Sequence, residues 1–462
     1  MTLASLETRL AHDLACLNFG EANWLKPRDG EYDVVIVGGG QSGLGAAFGL
    51  MRERIGNILV IDENPAGYEG PWDTYARMAT LRTPKHLIGI EHGVPSLTFR
   101  AWWEAQHGEA GWAALGKIPR REWMAYLRWF RAALKLPVRN DAKLERIEPI
   151  GGGFRLHLAG GEVLAARKVV LATGIQGGGH WHTPDFVRAL PAHRFAHTSE
   201  AIDYDALAGK RIAILGGGAS AFDNAGTALE AGAAAVEVHV RRDALPEVNP
   251  IRFMEASGMI PRYPALDDAA KYEVMRSFFE RNQPPTVDMF ERAAAHPGFA
   301  LHTGSPWLSV EETGEGVVVT TPNGCFTYDF LVLSTGLVTD PALRPELAEV
   351  QGEIARWGDR FAAPDPMPVL DAHPYLGPAF QFQPRTSEGA AALHGLFAFN
   401  YSALISMGLS AAALSGLKHA LPRLVSGLAD QLFLDDEARI LAEYLAYSER
   451  EFTAQWSKGE AA

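Results

Sequence analysis

The segment 33–43 places the strongest constraint on this 462-residue chain, because an unbroken apolar run leads directly into three closely spaced glycines. Residues 34–37 are all β-branched, and the spacing Gly38-x-Gly40-x-x-Gly43 follows them. In a turn from strand to helix, the first glycine allows a tight bend, the second lets the backbone approach a pyrophosphate, and the third lets the helix pack closely. The N–H groups that begin the helix would face that anion. The segment therefore predicts a dinucleotide-binding turn.

The residues around this turn support the same interpretation. Residues 34–37 have the composition of a buried parallel strand, an apolar stripe at helical spacing follows, and residues 57–61 have the pattern of the next strand. Asp62 and Glu63 close that strand about 20 residues after Gly43, where a carboxylate accepts hydrogen bonds from ribose hydroxyls. The predicted binding residues of this first site are Gly38, Gly40, Ser42, Gly43, Asp62 and Glu63.

A second glycine turn follows the apolar run 211–215, with alanine in the third place of the spacing. The strand predicted at 236–240 ends in Arg241 and Arg242 instead of a carboxylate. An arginine at that position suits a 2′-phosphate, which favours NADPH over NADH, although an exposed pair at a strand end is the alternative. The predicted binding residues of this second site are Gly216, Gly218, Ser220, Ala221, Arg241 and Arg242.

One local pattern occurs twice. A hairpin followed by an apolar strand ends in Thr173-Gly174, and the same succession ends in Thr335-Gly336. The second glycine turn lies between the two copies. These patterns predict an α/β fold with two Rossmann-like, three-layer dinucleotide-binding domains, the second inserted into the first. Thr173, Gly174 and Gly336 are predicted to contact the bound nucleotides.

Composition and charge exclude several other classes of protein. The formal net charge is −13 and no long basic run is present, so nucleic acid is an unexpected partner. Cys16 and Cys325 lie far apart and form no C-x-x-C, which indicates a reducing compartment and argues against dithiol redox chemistry. The first 30 residues lack the features of a signal peptide, so a cytoplasmic location is expected. The apolar stretch 403–417 is too short for a membrane span and predicts a buried helix.

The remaining motifs suggest that cofactors carry the chemistry. Residues 65–87 predict a loop across the first nucleotide, in which Trp72 either stacks on the cofactor or simply packs. His180 and His182 alternate, but no third or fourth ligand is evident nearby, so no metal is predicted. There is no glycine-elbow serine and no pair of carboxylates in a setting that suggests hydrolysis.

The chain resembles the class B flavin-containing monooxygenases over residues 33–417. The features that carry this resemblance are both glycine turns, the repeated Thr-Gly, Gly70-Pro71-Trp72 and Arg241. It looks closest to a bacterial branch of FAD/NAD(P)-binding flavoproteins loosely linked to potassium transport. The resemblance implies FAD in the first domain and NADPH in the second. It also implies oxygenation of a small organic substrate through a C4a-(hydro)peroxyflavin, by N-hydroxylation, heteroatom oxidation or Baeyer–Villiger insertion.

With that resemblance the domain boundaries can be drawn. We predict an N-terminal capping helix (1–30), a discontinuous FAD-binding domain (31–187 and 326–425), an NADPH-binding domain (188–325) with a helical insertion (244–305), and C-terminal helices (426–462). A homodimer is possible.

The resemblance is incomplete at the residues expected to meet oxygen. The family signature between the glycine turns survives only as His197-Thr198. Pro84-Lys85 aligns with a family loop that bears an asparagine beside the flavin, and Arg82 falls in the place of that asparagine. A cation there would stabilise a peroxide anion, and a surface arginine in a loop is the alternative. We predict Arg82, Lys85 and Asn400 as catalytic residues. A flavin reductase without oxygen insertion and a nucleotide-sensing flavoprotein that regulates a transporter remain open.

Overall fold

The computed structural model describes residues 2–87, 89–411 and 413–454. Its strands are β1 (Glu31–Val37), β2 (Ile58–Ile61), β3 (Val138–Arg139), β4 (Leu144–Ile150), β5 (Gly153–Leu158), β6 (Val163–Leu171), β7 (Gly179–Trp181), β8 (Phe195–His197), β9 (Arg211–Leu215), β10 (Ala235–His239), β11 (Phe299–His302), β12 (Ser309–Thr313), β13 (Gly316–Thr321), β14 (Gly324–Tyr328), β15 (Phe330–Leu333), β16 (Leu337–Thr339) and β17 (Leu396–Ala398).

The α-helices lie between and after these strands. They are α1 (Leu3–Cys16), α2 (Gln41–Arg52), α3 (Phe99–Ala114), α4 (Arg120–Leu134), α5 (Asp185–Arg188), α6 (Ala219–Glu230), α7 (Pro250–Ala256), α8 (Met259–Arg262), α9 (Asp268–Arg281), α10 (Val287–Ala294), α11 (Trp357–Arg360), α12 (Pro368–Asp371), α13 (Ala390–Leu393), α14 (Leu404–Met407), α15 (Leu414–Asp435) and α16 (Glu437–Ala446).

The first large sheet has the strand order β3-β2-β1-β6-β5-β4, and β17 also pairs with β6. Strands β1, β2, β3, β6 and β17 are parallel, with Val34 opposite Ile58 on one side and Lys168 on the other. Residues 34–37 of β1 are buried because both edges and both faces of the strand are covered, which is why this run is continuously apolar. The predicted succession of strand, glycine turn and helix at 33–43 is confirmed.

The second large sheet is fully parallel, with the order β11-β10-β9-β15-β8. Helix α6 packs beside it and follows the second glycine turn, as predicted. A separate antiparallel sheet, β12-β13-β14, contains the hairpin predicted at 323–324. The fold is thus α/β with two Rossmann-like units, and the second lies between β6 and β17 of the first along the chain.

Two predicted boundaries need correction. The prediction returned the chain to the first domain at residue 326, but β15 pairs with β8 and β9 in the second sheet. An apolar run identifies a buried strand without identifying its partners, and both partners of β15 lie more than 100 residues earlier in the chain. The segment 244–305 is also only partly helical, because β11 forms the edge strand beside β10.

The chain ends pack against the first unit. Leu6 and Leu10 of α1, which lies within the predicted capping segment 1–30, are buried in its core. The apolar stretch 403–417 forms α14 and the start of α15, not one helix, because Gly408 adopts φ 69° between them. Within the described residues, no helix is long and apolar enough to cross a membrane. Residues 455–462 of the predicted C-terminal helices lie outside the described residues.

Candidate functional site

A cavity of about 1150 Å³ lies at the carboxyl ends of the parallel strands of both large sheets. Its wall includes the residues at or just after the ends of β1, β2 and β6 in one unit and of β9, β10 and β15 in the other. Ligands of open α/β sheets bind at this edge. The volume exceeds the roughly 300–1,000 Å³ of a typical small-molecule site, so two ligands can share it.

Most residues predicted from the sequence line this one cavity. They are Gly38, Gly40, Ser42, Asp62, Glu63, Trp72, Arg82, Thr173, Gly174, Gly216, Gly218, Ser220, Arg241, Arg242 and Gly336. Gly43 and Ala221 lie just behind the wall, in the first turns of α2 and α6. The two predicted nucleotide sites therefore open into a common space.

The first glycine turn forms a cradle that only glycine can build. Gly38 has φ 107°, and a Cβ there would lie 2.5 Å from the carbonyl oxygen of Ala172. A Cβ at Gly43 would lie 1.9 Å from the carbonyl oxygen of Gly38. Gly40 is the N-cap of α2 and supplies no side-chain cap, so the first N–H groups of the helix remain available to an anion. This geometry fits the pyrophosphate of FAD.

The two adjacent carboxylates after β2 have different surroundings. Asp62 is buried, and it accepts hydrogen bonds from the backbone N–H of Gly39 at 2.7 Å and of Asn64 at 2.8 Å. Its oxygens therefore hold the glycine turn in shape. Glu63 is exposed on the cavity wall. Of the two, Glu63 has the carboxylate that is free to accept hydrogen bonds from a ribose.

The second glycine turn repeats the same geometry. Gly216 has φ 124°, and a Cβ there would lie 2.3 Å from the carbonyl oxygen of Ser334. Gly218 is the N-cap of α6, again without a side-chain cap. The two arginines after β10 differ, because Arg242 donates to the carbonyl oxygens of Glu280 at 2.9 Å and Arg281 at 3.2 Å, whereas Arg241 is exposed at the wall.

The repeated Thr-Gly pairs stand at equivalent places in the two units. Gly174 and Gly336 both have positive φ, 67° and 80°. The backbone N–H of His182 donates to the carbonyl oxygen of Gly336 at 2.9 Å, and the Thr335 hydroxyl donates to the carbonyl oxygen of His182. Because β7 and β16 pair just beyond these contacts, the segment leaving the first unit is fastened to the segment returning from the second.

The three residues predicted as catalytic are not brought together. Arg82 lines the cavity and donates to Asp223 Oδ2 at 3.2 Å. Lys85 donates to the carbonyl oxygens of Trp112 and Leu115, so it fastens its loop to the end of α3. Asn400 is buried and donates to Thr173 Oγ1 at 3.1 Å. Neither Lys85 nor Asn400 is on the described cavity wall.

Trp72 stands on the cavity wall and also packs against the first hydrophobic core. Arg120 donates to its carbonyl oxygen, which fixes the backbone of the 70–72 segment. The indole is thus held in place by packing while one part of it remains accessible from the cavity. Stacking and packing, the two alternatives that the sequence left open, are both compatible with this position.

Several wall residues were not identified as binding residues from the sequence. Trp181 and His197 stack with ring centroids 5.0 Å apart, and both line the cavity. Burial and the nearby His182 and His180 lower the pKa of His197 to about 4, so its ring is neutral at neutral pH. Asp223 of α6 is buried at the wall as well. An aspartate inside an amphipathic helix gives no sequence signal that distinguishes it from a surface residue.

One cluster elsewhere has the composition of a metal site. The ligand atoms of Glu237, His239 and His302 all lie within 4.8 Å of one another on β10 and β11. They are joined in a hydrogen-bond network, with His302 to Glu237 at 2.8 Å, Tyr328 to Glu237 at 2.9 Å and His239 to Tyr328 at 2.8 Å. The absence of a metal from this protein stays a prediction.

Comparisons with known proteins agree with this arrangement. Residues 35–176 match the family described as FAD-NAD(P)-binding, and residues 113–257 match the family described as L-lysine 6-monooxygenase/L-ornithine 5-monooxygenase. Among solved structures, an ornithine hydroxylase from Pseudomonas aeruginosa has a TM-score of 0.67 at 20% identity, covering 87% of this chain and 100% of its own. L-lysine 6-monooxygenase from Pseudomonas syringae has a TM-score of 0.67 at 18% identity, covering 87% and 99%. These structures share the fold.

A curated relative is similar over nearly the whole chain. The FAD-dependent urate hydroxylase of Xanthomonas campestris pv. campestris is 65% identical over 465 aligned residues, which cover 99% of this chain and 98% of that protein.

Proposed function

Because the chain belongs to the family of the FAD-dependent urate hydroxylase, we propose that urate is the small molecule that it oxygenates. The chain is a flavin-dependent monooxygenase that uses FAD and NADPH. The observation that carries the urate proposal is the 65% identity with a urate hydroxylase over 99% of this chain. The overall reaction would convert urate, O2, NADPH and a proton to hydroxylated urate, NADP⁺ and water.

The first glycine turn is the proposed site of FAD. The N–H groups at the start of α2 would bind its pyrophosphate, and Glu63 would accept hydrogen bonds from its ribose. Thr173 and Gly174, which end the run after β6, would meet the same cofactor, and Trp72 would cover it. When bound, FAD accepts a hydride from NADPH and activates O2. Asn400 would act indirectly by positioning the hydroxyl of Thr173.

The second glycine turn is the proposed site of NADPH. The N–H groups at the start of α6 would bind its pyrophosphate, with Ser220 and Gly336 nearby on the wall. The exposed Arg241 would contact the 2′-phosphate. Arg242 would contribute less, because its guanidinium already bonds the end of α9.

The cavity wall carries polar groups of the kind that a substrate like urate requires. Urate is planar and carries ring N–H and C=O groups around its edge. Trp181, His182 and Thr198 line the cavity, as do Arg82 and Asp223. Arg82 would also stabilise negative charge that develops near it during oxygen transfer, which is the proposed basis of its catalytic role. Lys85 would help by holding the Arg82 loop against α3.

Product analysis tests this proposal directly. The purified protein with FAD is given NADPH, ¹⁸O2 and urate, and the product is examined by mass spectrometry. We expect urate to be consumed with one labelled oxygen atom incorporated and about one NADPH oxidised per product. Ornithine and lysine serve as alternative substrates. NADPH oxidation without any oxygenated product would favour a reductase, and hydroxylation of an amine without loss of urate would overturn urate as substrate.

Three finer expectations remain proposals. A cytoplasmic location is supported by the two unpaired cysteines, Cys16 and Cys325, which suit a reducing compartment. A homodimer and a link to potassium transport rest only on the family resemblance. Size-exclusion chromatography with light scattering would test the dimer.

A further inference from the structure

Arg82 and Asp223 meet across the cavity, and they come from different units of the fold. Arg82 belongs to the loop that covers the first nucleotide site, and Asp223 belongs to α6, which follows the second glycine turn. The Asp223 side chain is only 4% exposed, whereas that of Arg82 is 36% exposed. The pair therefore lies at the place where ligands of the two halves approach each other.

The hydrogen bonding of this pair is incomplete. A guanidinium and a carboxylate can form two parallel hydrogen bonds, but here Arg82 reaches only Asp223 Oδ2, at 3.2 Å. Throughout the described part of the chain, Arg82 Nε and Asp223 Oδ1 have no hydrogen-bond partner although both atoms are buried. Buried polar atoms are almost always paired, so this pair on the cavity wall leaves one donor and one acceptor for a bound molecule to satisfy.

Neighbouring side chains do not supply these bonds. Arg292 is the other cation near Asp223, but its guanidinium donates to Glu230 at 2.7 Å and to Thr227 Oγ1 at 3.2 Å. The Arg82 carbonyl accepts from Arg252 at 3.1 Å, which fixes the backbone but leaves Nε unused. Burial raises the pKa of Asp223 while Arg82 opposes that shift, as expected for a carboxylate with too few donors.

We propose that Arg82 and Asp223 form a receptor for a planar amide edge, with Arg82 Nε–H donating to a C=O and Asp223 Oδ1 accepting from the adjacent N–H. Two ligands of this enzyme carry that chemistry: the ring amides of urate and the carboxamide of the nicotinamide. The urate source rests on the proposed function, whereas the nicotinamide source does not. In both cases the ligand would fasten the loop of the first unit to α6 of the second.

The test compares Asp223→Asn and Arg82→Lys with Glu230→Gln. Glu230 is the matched control, because it lies on α6 and pairs with an arginine but is not on the described cavity wall. FAD content and melting temperature identify any variant that fails to fold. If Asp223→Asn does not fold, Arg82→Lys carries the test, because it keeps the charge while removing the Nε–H.

Each source of the amide has its own measurement. For urate, KM is measured for urate and for urates methylated at single ring nitrogens. For the nicotinamide, anaerobic flavin reduction is measured with NADPH and with its 3-acetylpyridine analogue, which lacks the amide N–H. We expect one of the two ligands to bind at least tenfold more weakly to both variants than to the wild type. We also expect the wild type to prefer that ligand at least tenfold over its blocked analogue, and both variants to lose this preference. Glu230→Gln should change neither.

The outcomes separate this proposal from the choice of substrate. A wild-type protein that neither binds nor oxygenates urate removes the proposed function, but the nicotinamide measurement still decides whether the receptor exists. Both variants remaining within twofold of wild type for every ligand that the enzyme binds would overturn the receptor. A lowered melting temperature with unchanged ligand preferences would also overturn it, since the pair would then only join the two units.

Discussion

Lys168 Nζ lies 2.8 Å from Asp435 Oδ2, and the lysine side chain is fully buried. The neighbouring Arg167 reaches Asp436 at 2.9 Å and Asp33 at 3.4 Å. Two consecutive cations of β6, the strand that leads to Thr173-Gly174, are thus neutralised largely by the end of α15. Helix α15 also packs closely against α2, since Cβ atoms at Gly45 and Gly49 would lie 2.6 Å from Leu421 and Val425. The ion pairs between β6 and α15 therefore help to hold the FAD cradle in place.

Removing the acidic partner of Lys168 should destabilise the protein. Asp435→Asn leaves a buried ammonium with an incomplete set of partners, and we expect the free energy of unfolding to fall by about 3 kcal/mol or more. Urea unfolding followed by circular dichroism measures the change. Glu162→Gln breaks the exposed pair with Arg139 and should cost about 1 kcal/mol or less. Equal effects of the two substitutions would contradict a special role for the buried pair.

The same pair predicts how stability depends on pH. Burial alone would raise the pKa of Asp435, but hydrogen bonds from His394 and Lys168 outweigh it and hold the pKa below its ordinary value. A carboxylate with a lowered folded-state pKa contributes stability that is complete above its unfolded pKa of about 3.9 and is lost as the pH falls further. The difference in unfolding free energy between wild type and Asp435→Asn should therefore be constant near neutral pH and shrink below about pH 4. A difference that grows as the pH falls would contradict this sign.

The parts of the structure that the sequence predicts are those set by local steric demands. Gly38 and Gly216 must be glycine because a Cβ would meet the carbonyl oxygens of Ala172 and Ser334, and that demand leaves a spacing that can be recognised. The different roles of Asp62 and Glu63 leave no such trace, because consecutive residues after a strand point in different directions.

Long-range contacts are the other part that sequence patterns do not reveal. Arg82 and Asp223 are 141 residues apart, and their meeting depends on how the two units pack. Lys85 bonds the carbonyl oxygen of Trp112, 27 residues further along the chain, and no local sequence pattern indicates that contact. A loop residue predicted as catalytic therefore holds its loop against α3. The membership of β15 in the second sheet likewise follows from pairing on both of its edges.

Arg241 and Arg242 should contribute unequally to the use of NADPH. Arg241→Ala removes the exposed guanidinium proposed to contact the 2′-phosphate, and a lost charge-assisted hydrogen bond of about 1.5–3 kcal/mol corresponds to a rise in KM for NADPH of about tenfold or more. KM for NADH should change little, because NADH lacks that phosphate. Arg242→Ala is the matched control, since this guanidinium bonds the end of α9. An equal loss for both nucleotides would place Arg241 away from the phosphate.

Asp62 and Glu63 should differ in what their substitution damages. Glu63→Gln removes a charge from the cavity wall, so we expect FAD to bind about tenfold more weakly while the melting temperature of the FAD-free protein stays unchanged. Asp62→Asn replaces a carboxylate that accepts from Gly39 and Asn64, and it should destabilise the FAD-free protein by about 1–3 kcal/mol because the glycine turn loses a buried acceptor. Fluorescence titration with FAD and thermal unfolding of the FAD-free protein distinguish the two effects. If Glu63→Gln binds FAD normally while Asp62→Asn is stable but binds FAD poorly, the ribose contact belongs to Asp62.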